Sequence, residues 1–323
     1  MLKRIFLKLL KREKFSHLET LLLHFNNNTE KVPDIVYFGD STVERISKYD
    51  SDKRTIPEML SDELLNNFII LSISHSAYHM TIYYHFMLVF QKTIYKPKIA
   101  IIPINMRSFS PQWDLYPPYQ FEAEIKLLND YIQTGRRYFR NKKKINKNAY
   151  FEFENLKVVF PLTPFNTIKE FKDIVNAKPN TSEEQFFRRK QIFIFHYLYN
   201  LNQDHRKLLD LIRIVDCARE MKIKIVFYFT PINYKAAISY VGEEFRVIFD
   251  RNVQKVIKIL KEKGVHPYNN NLPNSMVYID LTCSLDEKYF FHRNTLTEHL
   301  NEFGRKFVAN RVSKAVPWMI SID

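Results

Sequence analysis

Glycine is scarce in this sequence, which has only five among its 323 residues. Phosphate-binding loops need several closely spaced glycines, because their backbone N–H groups must approach the phosphate directly. The five glycines here are far apart, so neither a dinucleotide-binding fingerprint nor a P-loop can be written. The same scarcity excludes collagen-like repeats and Gly/Ser linkers.

Cysteine and long apolar runs are also missing. Cys217 and Cys283 are the only cysteines, so no disulfide framework or cysteine metal site is expected, which favours a reducing compartment. No run of 18 apolar residues exists, and Lys8 interrupts the first apolar stretch. Neither a membrane-spanning helix nor a signal peptide is therefore predicted. We expect a cytoplasmic protein, with peripheral contact at the inner membrane surface as the alternative.

Positive charge exceeds negative charge by 14, from 49 Lys and Arg against 35 Asp and Glu. Part of the excess lies at residues 136–147, which are either a solvated loop or a site for an anionic partner. Residues 2–12, within an N-terminal segment 1–30, have the pattern of a basic amphipathic helix. That helix packs on protein or contacts a membrane surface. No base-reading motif is present, so nucleic acid is not an expected partner; the oligomeric state is not predicted.

Short apolar runs alternate with segments of helical periodicity. This alternation predicts an α/β domain over residues 31–323, with helices on both faces of a parallel sheet in a three-layer arrangement. The predicted strands are 34–38, 68–73, 99–104, 223–229 and 276–281, and the predicted helices are 56–66, 79–95, 204–221, 243–263 and 302–314.

Residues 106–203 interrupt the alternation between the third and fourth strands. This length predicts an inserted subdomain or lid, partly helical around 183–201. In parallel sheets of this kind, functional groups lie beyond the carboxyl ends of the strands. We therefore expect the insertion to shape access to that edge.

Gly39, Asp40 and Ser41 follow the first predicted strand directly. A serine at a strand-to-helix turn either caps the helix or presents its hydroxyl as a nucleophile. Gly39 is expected to let the backbone turn and to admit substrate closely. His299 lies just before a predicted helix that Asn301 can cap. It is either a structural histidine or the base that activates the serine.

The order of these residues along the chain resembles that of the SGNH/GDSL hydrolase superfamily. The matching blocks are Gly39-Asp40-Ser41, residues 101–105, and His299 with Gly304, together about a fifth of the chain. The resemblance implies a flavodoxin-like sheet, with Ser41 as nucleophile, His299 as base and Asn105 as an oxyanion donor beside the N–H of Ser41. Residues 106–113 are similar to the branch that acts on cell-surface glycans.

Two positions depart from that family's pattern. The family's acid lies three residues before the histidine, where this chain has Leu296. Glu298, Asp286 or Asp280 are the candidates to replace it, and a backbone carbonyl would leave a Ser-His dyad. The family's second block supplies a glycine N–H to the oxyanion, but residues 71–77 contain no glycine. The N–H of His75 or Ser76 is the expected substitute.

Other polar residues have weaker claims to a functional role. His75, His79 and His85 do not have zinc-ligand spacing and lack a cysteine or carboxylate partner, so no metal or cofactor is expected. His292 is predicted to be structural. Arg107 follows Asn105 closely, and either binds an anionic substrate group or pairs with a carboxylate.

These residues predict a serine esterase or O-acyltransferase that acts on a glycan, a glycan precursor or an acylated small molecule. The alternative is a catalytically inactive SGNH-like module that binds a partner or glycan in polysaccharide assembly. A third hypothesis is a binder of anionic surfaces through residues 2–12 and 136–147.

Overall fold

A computed structural model describes residues 18, 21–22, 33–94, 96–114, 116–134, 156–269, 274–292 and 298–316. The predicted helix at 2–12, the basic cluster at 136–147 and Leu296 lie outside the described residues. Within these ranges, no helix combines the length and apolar character needed to cross a membrane.

A six-stranded sheet forms the centre of the fold, and all of its strands are parallel. The strands are β1 Ile35–Gly39, β2 Ile70–Ser74, β3 Ile99–Ile104, β4 Lys224–Phe229, β5 His266–Pro267 and β6 Met276–Asp280. They are arranged in the order β2-β1-β3-β4-β6-β5, the flavodoxin-like order extended by one short edge strand. The predicted α/β fold class and its five strands are confirmed.

Twelve α-helices are described with the strands. They are α1 Ser41–Glu44, α2 Ile56–Glu63, α3 Met80–Lys92, α4 Pro111–Asp114, α5 Glu122–Thr134, α6 Leu156–Val159, α7 Ile168–Asn176, α8 Ser182–Tyr197, α9 Arg206–Met221, α10 Tyr234–Val241, α11 Glu243–Glu262 and α12 Glu302–Ser313. Two separate apolar clusters show that α2 and α12 cover one face of the sheet, whereas α3, α9 and α11 cover the other.

The central strand β1 is buried on both faces. Val36 and Phe38 pack into the cluster with α3 and α9, and Ile35 and Tyr37 pack into the cluster with α2 and α12. This explains why the strand is a continuous apolar run rather than an alternating one. The hydroxyl of Tyr37 donates to that of Tyr228 on β4 at 2.8 Å, so the buried polar end is satisfied.

Side-chain caps fix where several helices begin. Thr55 and Glu58 form a capping box at α2, and Thr181 and Glu184 form another at α8. Asn301 accepts a hydrogen bond from the N–H of Gly304 at 3.1 Å, so its predicted capping of α12 is confirmed. Because α12 starts there, His299 lies in the loop immediately before it.

The segment between β3 and β4 contains more helix than its sequence predicts. The helical region expected around 183–201 corresponds to α8, but α5 and α7 were not predicted. Each buries few residues: Leu128 and Tyr131 in α5, and Ile168 and Phe171 in α7. Whether residues 106–203 form a separate subdomain or lid stays a prediction.

Candidate active site

The strand order reverses between β1 and β3, which is where such sheets form a crevice at their carboxyl edge. Ser41 begins α1, two residues after the end of β1, and Asn105 directly follows β3. The sheet therefore brings both residues to the same edge, although 63 residues separate them in the sequence. A loop that precedes α12 completes the site with His299.

Ser41 and His299 are in direct contact. The Nε2 atom of His299 lies 3.1 Å from the Oγ atom of Ser41, across 258 positions of sequence. Ser41 is only 8% exposed, and His299 is partly buried. With a neutral ring, the hydroxyl can donate to Nε2, which is the geometry that general-base activation of a serine requires.

Backbone hydrogen bonds hold the His299 loop. Phe290 and Leu300 form an isolated antiparallel bridge, and the N–H of Phe291 donates to the carbonyl of His299 at 3.0 Å. The N–H of Asn301 donates to the carbonyl of Tyr289 at 3.0 Å. The segments 289–291 and 299–301 are thus bonded to each other, which positions the backbone of His299.

Asp40 and Asn105 form a buried pair beneath the serine. The Nδ2 of Asn105 donates to the Asp40 carboxylate at 2.8 Å, and the Oδ1 of Asn105 accepts from the N–H of Arg107 at 3.0 Å. These two partners fix which end of the amide is nitrogen. Burial raises the pKa of Asp40 above its ordinary value, although hydrogen bonds from Thr42 and Asn105 oppose the shift.

Two donors remain available for an oxyanion. The Nδ2 of Asn105 has a second hydrogen beyond the one given to Asp40. As the first residue of α1, Ser41 has no acceptor for its N–H within the helix, and no described group outside the helix accepts from it. Both groups therefore fit the donor roles that the resemblance assigned to them.

In the second block, residues 71–77, the N–H groups of His75 and Ser76 already have acceptors within the protein. The N–H of His75 donates to the carbonyl of Gly39 at 3.2 Å, which continues the β1–β2 pairing. The N–H of Ser76 lies near the carboxylate of Glu44 and lowers its pKa, although burial makes the net shift upward. Neither N–H is thus an unoccupied donor here, and the oxyanion role suggested for Ser76 stays a prediction.

Glu298 is fully buried and adjacent to His299 in the sequence, but its carboxylate bonds to other groups. Its Oε1 accepts from the Nη1 of Arg107 at 2.8 Å, and its Oε2 accepts from the hydroxyl of Tyr197 at 3.1 Å. Burial favours a raised pKa for Glu298, but the charges of Arg107 and His299 outweigh it and hold the pKa below its ordinary value. A buried carboxylate thus lies next to His299, with both oxygens already bonded.

The other two candidates for the acid, Asp280 and Asp286, accept hydrogen bonds from residues in their own turns. Asp280 accepts from the N–H and hydroxyl of Thr282 at 3.0 and 2.7 Å, just after β6. Asp286 caps a short 3₁₀ helix and accepts from the N–H of Lys288 at 3.4 Å. The family's usual acid position is Leu296, which lies outside the described residues. The choice between a dyad and a relocated acid therefore stays open.

Several charges act on His299. Burial lowers the pKa of its imidazole to about 4, opposed by the Glu298 carboxylate and reinforced by Arg45, Arg107 and His292. The ring is consequently neutral at pH 7, which is the protonation state of a base ready to accept the serine proton.

Arg107 takes the second of its two predicted roles, because it pairs with a carboxylate. Its guanidinium also stacks on Trp113, with 3.9 Å between its carbon and the ring centroid. Trp113 stacks on Tyr119 at 4.6 Å, and Tyr119 meets Tyr116 edge to face at 4.9 Å. The three aromatic rings belong to the segment after β3 and are partly exposed. They form an aromatic wall next to the Arg107–Glu298 pair.

The three histidines considered for zinc have separate partners. His75 bonds to the carbonyl of Ser76, His79 to the carbonyl of Tyr119 and His85 to the side chain of Asn129. Among the residues that the structure describes, no group of three or more His, Cys, Asp or Glu could hold a metal ion. His292 is exposed.

Gly39 does not make the predicted turn, whereas close approach of substrate at this residue stays a prediction. It lies within β1 and its backbone is not left-handed, so it does not supply an unusual turn. A Cβ atom there would lie 2.8 Å from the Cβ of Val43 and 2.9 Å from that of Ser74. Glycine thus permits α1 to pack closely on the ends of β1 and β2. Gly304 plays a similar part, because its Cβ would lie 2.6 Å from the carbonyl oxygen of Tyr289.

We expect Gly39→Ala to lower the free energy of unfolding by about 1–3 kcal/mol, because the added methyl overpacks this contact. Ser41 lies between Gly39 and Val43, so turnover should fall as well when α1 shifts. Urea denaturation and ester hydrolysis measure the two effects. Unchanged stability together with unchanged turnover would contradict this account of the close packing.

Arg305 is a supporting residue that sequence reasoning did not single out. Its side chain is fully buried, and its Nη1 donates to Asp50 at 2.6 Å and to the carbonyl of Leu300 at 3.1 Å. Its Nε and Nη2 donate to the carbonyls of Arg54 and Asp52 at 2.9 and 2.6 Å. One guanidinium thus joins the residue after His299 to the loop that precedes α2.

Comparisons with known proteins gave structural similarities only. No protein family and no curated protein matches the chain. A mutant acetyl-xylooligosaccharide esterase from Geobacillus is 10% identical, with a TM-score of 0.40 over 89% of this chain and 94% of that one. A GDSL-like lipase from Bacteroides thetaiotaomicron is 8% identical, with a TM-score of 0.39 over 96% and 100% of the two chains. The assignment of function therefore depends on this chain's own residues.

Proposed function

We propose that this protein is an SGNH-like serine esterase or O-acyltransferase that acts on a glycan or glycan precursor through an acyl-Ser41 intermediate. The 3.1 Å contact between the Ser41 hydroxyl and the His299 ring carries the proposal. It joins a nucleophile and a base at the crevice where a parallel sheet of this order presents its functional groups.

The reaction follows from the positions of these groups. His299 Nε2 takes the proton of Ser41 as Oγ attacks the ester carbonyl, and the carbonyl oxygen becomes an oxyanion. The N–H of Ser41 and the second N–H of Asn105 Nδ2 donate to that oxyanion. The imidazolium then returns its proton to the departing alkoxide as the C–O bond breaks, which leaves an acylated Ser41 and an alcohol.

The second half of the reaction reverses these roles. Water, or a hydroxyl of an acceptor, gives its proton to His299 and attacks the acyl carbonyl. Ser41 leaves and regains a proton from the imidazolium. Water yields a carboxylic acid and makes the protein an esterase, whereas an acceptor hydroxyl yields a new ester and makes it an acyltransferase.

The aromatic wall supports a glycan as substrate. Trp113, Tyr116 and Tyr119 are partly exposed beside the site, and aromatic rings combine a broad apolar face with a polar tip in Tyr and Trp. Sugar rings present flat C–H faces that pack on such surfaces, while their hydroxyl groups reach the polar tips. The same surface also suits the alcohol part of other acyl esters.

A fluorophosphonate probe tests the Ser-His pair directly, because it phosphonylates only an activated serine. We expect stoichiometric labelling, located at Ser41 by peptide mass spectrometry. Ser41→Ala should lose the label, and His299→Ala should react far more slowly because the hydroxyl is no longer deprotonated. Absence of labelling in the folded wild-type protein would reject the proposal.

One observation favours a non-catalytic module as the second candidate. The N–H groups of His75 and Ser76 are directed to Gly39 and Glu44, so neither of these two expected substitutes is an unoccupied oxyanion donor. On this hypothesis the crevice binds a glycan or protein without turnover. Unlabelled Ser41 together with saturable glycan binding would support it.

A further inference from the structure

Arg45 is an exposed cation one helical turn beyond the candidate nucleophile. It directly follows α1 as the C-cap residue, and its N–H donates to the carbonyl of Ser41 at 3.0 Å. Residues four positions apart lie on the same side of a helical turn. The guanidinium therefore begins from the same side of α1 as the Ser41 hydroxyl and extends into solvent.

Among the described residues, the Arg45 side chain has neither a hydrogen-bond acceptor nor an ion-pair partner. The neighbouring carboxylates are bonded to other groups: Asp40 to Asn105, and Glu44 to the hydroxyl of Ser74 at 3.2 Å. Arg107, the other cation near the pair, is matched by the buried Glu298. Arg45 thus keeps an uncompensated positive charge at the edge of the site.

The charge of Arg45 is close enough to act on two sides of the crevice. It lowers the pKa of His299 as a smaller contribution beside burial, and it opposes the rise that burial causes in the pKa of Tyr119. The charge of Arg45 is thus felt at both His299 and Tyr119. An anionic group held between these two residues would feel the same charge with the opposite sign.

We infer that Arg45 recognises a negatively charged group on the substrate, so that the preferred ester carries a carboxylate, phosphate or sulfate near the bond that is cleaved. This inference rests on the proposed function and adds a substrate class to it. Arginine is suited to the task because its planar fork donates to two oxygens of such a group at once. The remaining specificity comes from the aromatic wall.

Two esters that differ only in charge test this inference. They are 4-acetoxybenzoate, which is an anion at pH 7, and its neutral methyl ester, and the quantity measured is the ratio of their kcat/KM values. We expect Arg45→Gln to lower this ratio about two- to fivefold, the range of an exposed charge pair. Arg45→Glu should lower it further, and added salt should reduce the wild-type preference because the pair is exposed.

Lys48→Gln is the matched control. It removes one positive charge from an exposed residue three positions further along, whose Nζ lies 4.8 Å from the Tyr49 ring centroid. An unchanged ratio in this variant would show that the effect belongs to Arg45. An equal fall in both variants, or no fall in Arg45→Gln, would overturn the inference while the esterase activity itself stands.

A binding measurement separates this inference from the proposed function. Titration with 4-hydroxybenzoate, followed by NMR at the His299 ring, gives a dissociation constant without any turnover. We expect weaker binding to Arg45→Gln than to the wild type and to Lys48→Gln. If neither ester is hydrolysed but this difference persists, the esterase proposal fails and the anion site stands. Equal binding to all three proteins overturns the anion site.

Discussion

His299→Ala is expected to lower kcat for an activated ester such as 4-nitrophenyl acetate about 10²–10⁴-fold, the usual contribution of a positioned general base. In the wild type, Nε2 lies 3.1 Å from the serine hydroxyl, and alanine offers nothing to accept its proton. The oxyanion donors at Ser41 and Asn105 remain, so the residual rate should still exceed the rate in water. Steady-state hydrolysis measures the loss.

The pH profile identifies the base. The pKa of His299 is about 4, and only the neutral ring accepts a proton. The active fraction therefore grows as pH rises through about 4, so kcat/KM should climb there and stay level from about pH 6 to 8. His292→Ala is the control, because His292 is an exposed histidine that directly follows Phe291, and this variant should keep turnover near the wild-type value. A rise in kcat/KM centred near pH 6.5 would contradict the buried environment described for His299.

Arg305→Ala is expected to lower the free energy of unfolding by about 3–5 kcal/mol, because it leaves the buried Asp50 carboxylate unpaired. Three backbone carbonyls lose their donor at the same time. Urea denaturation measures the effect. The residual folded protein should also turn over esters more slowly, because Leu300 follows His299 directly and would lose its anchor.

Two further variants keep this prediction testable if Arg305→Ala does not fold. Arg305→Lys keeps the charge but cannot donate in four directions, so it should show a smaller loss of stability. Arg311→Ala removes an exposed arginine of the same helix and should stay within about 0.5 kcal/mol of the wild type. Equal stability of all three variants would show that the buried network contributes nothing.

The sheet is the part of the fold that the sequence predicts well. Strands buried on both faces are continuous apolar runs, so β1, β3, β4 and β6 are visible without knowledge of their neighbours. The edge strand β5 is different, because His266 and Pro267 are both exposed and two residues carry no periodic signal. Placement of Ser41 and Asn105 at one edge then follows from the rule for parallel sheets.

Pairing between distant charged side chains is the part that could not be predicted. The sequence allowed Arg107 to meet a substrate or a carboxylate, and its partner Glu298 lies 191 positions away. Arg305 stands next to Lys306, and such a pair is typical of a solvated helix surface. Its burial depends on the loop around Asp50, 255 positions earlier. No local pattern encodes either contact.

The 258 positions between Ser41 and His299 have a consequence for biogenesis. Chains emerge from the ribosome N-terminus first, so β1, β2 and β3 become available long before α12 and its preceding loop. On the proposed mechanism, the hydroxyl of Ser41 therefore has no base until residue 299 has been synthesised, and the shorter nascent chain would not acylate itself on passing esters. Closing a loop of this length also costs conformational entropy, so we expect the Ser41–His299 contact to form late in folding. Activity should accordingly appear only after α12 has docked.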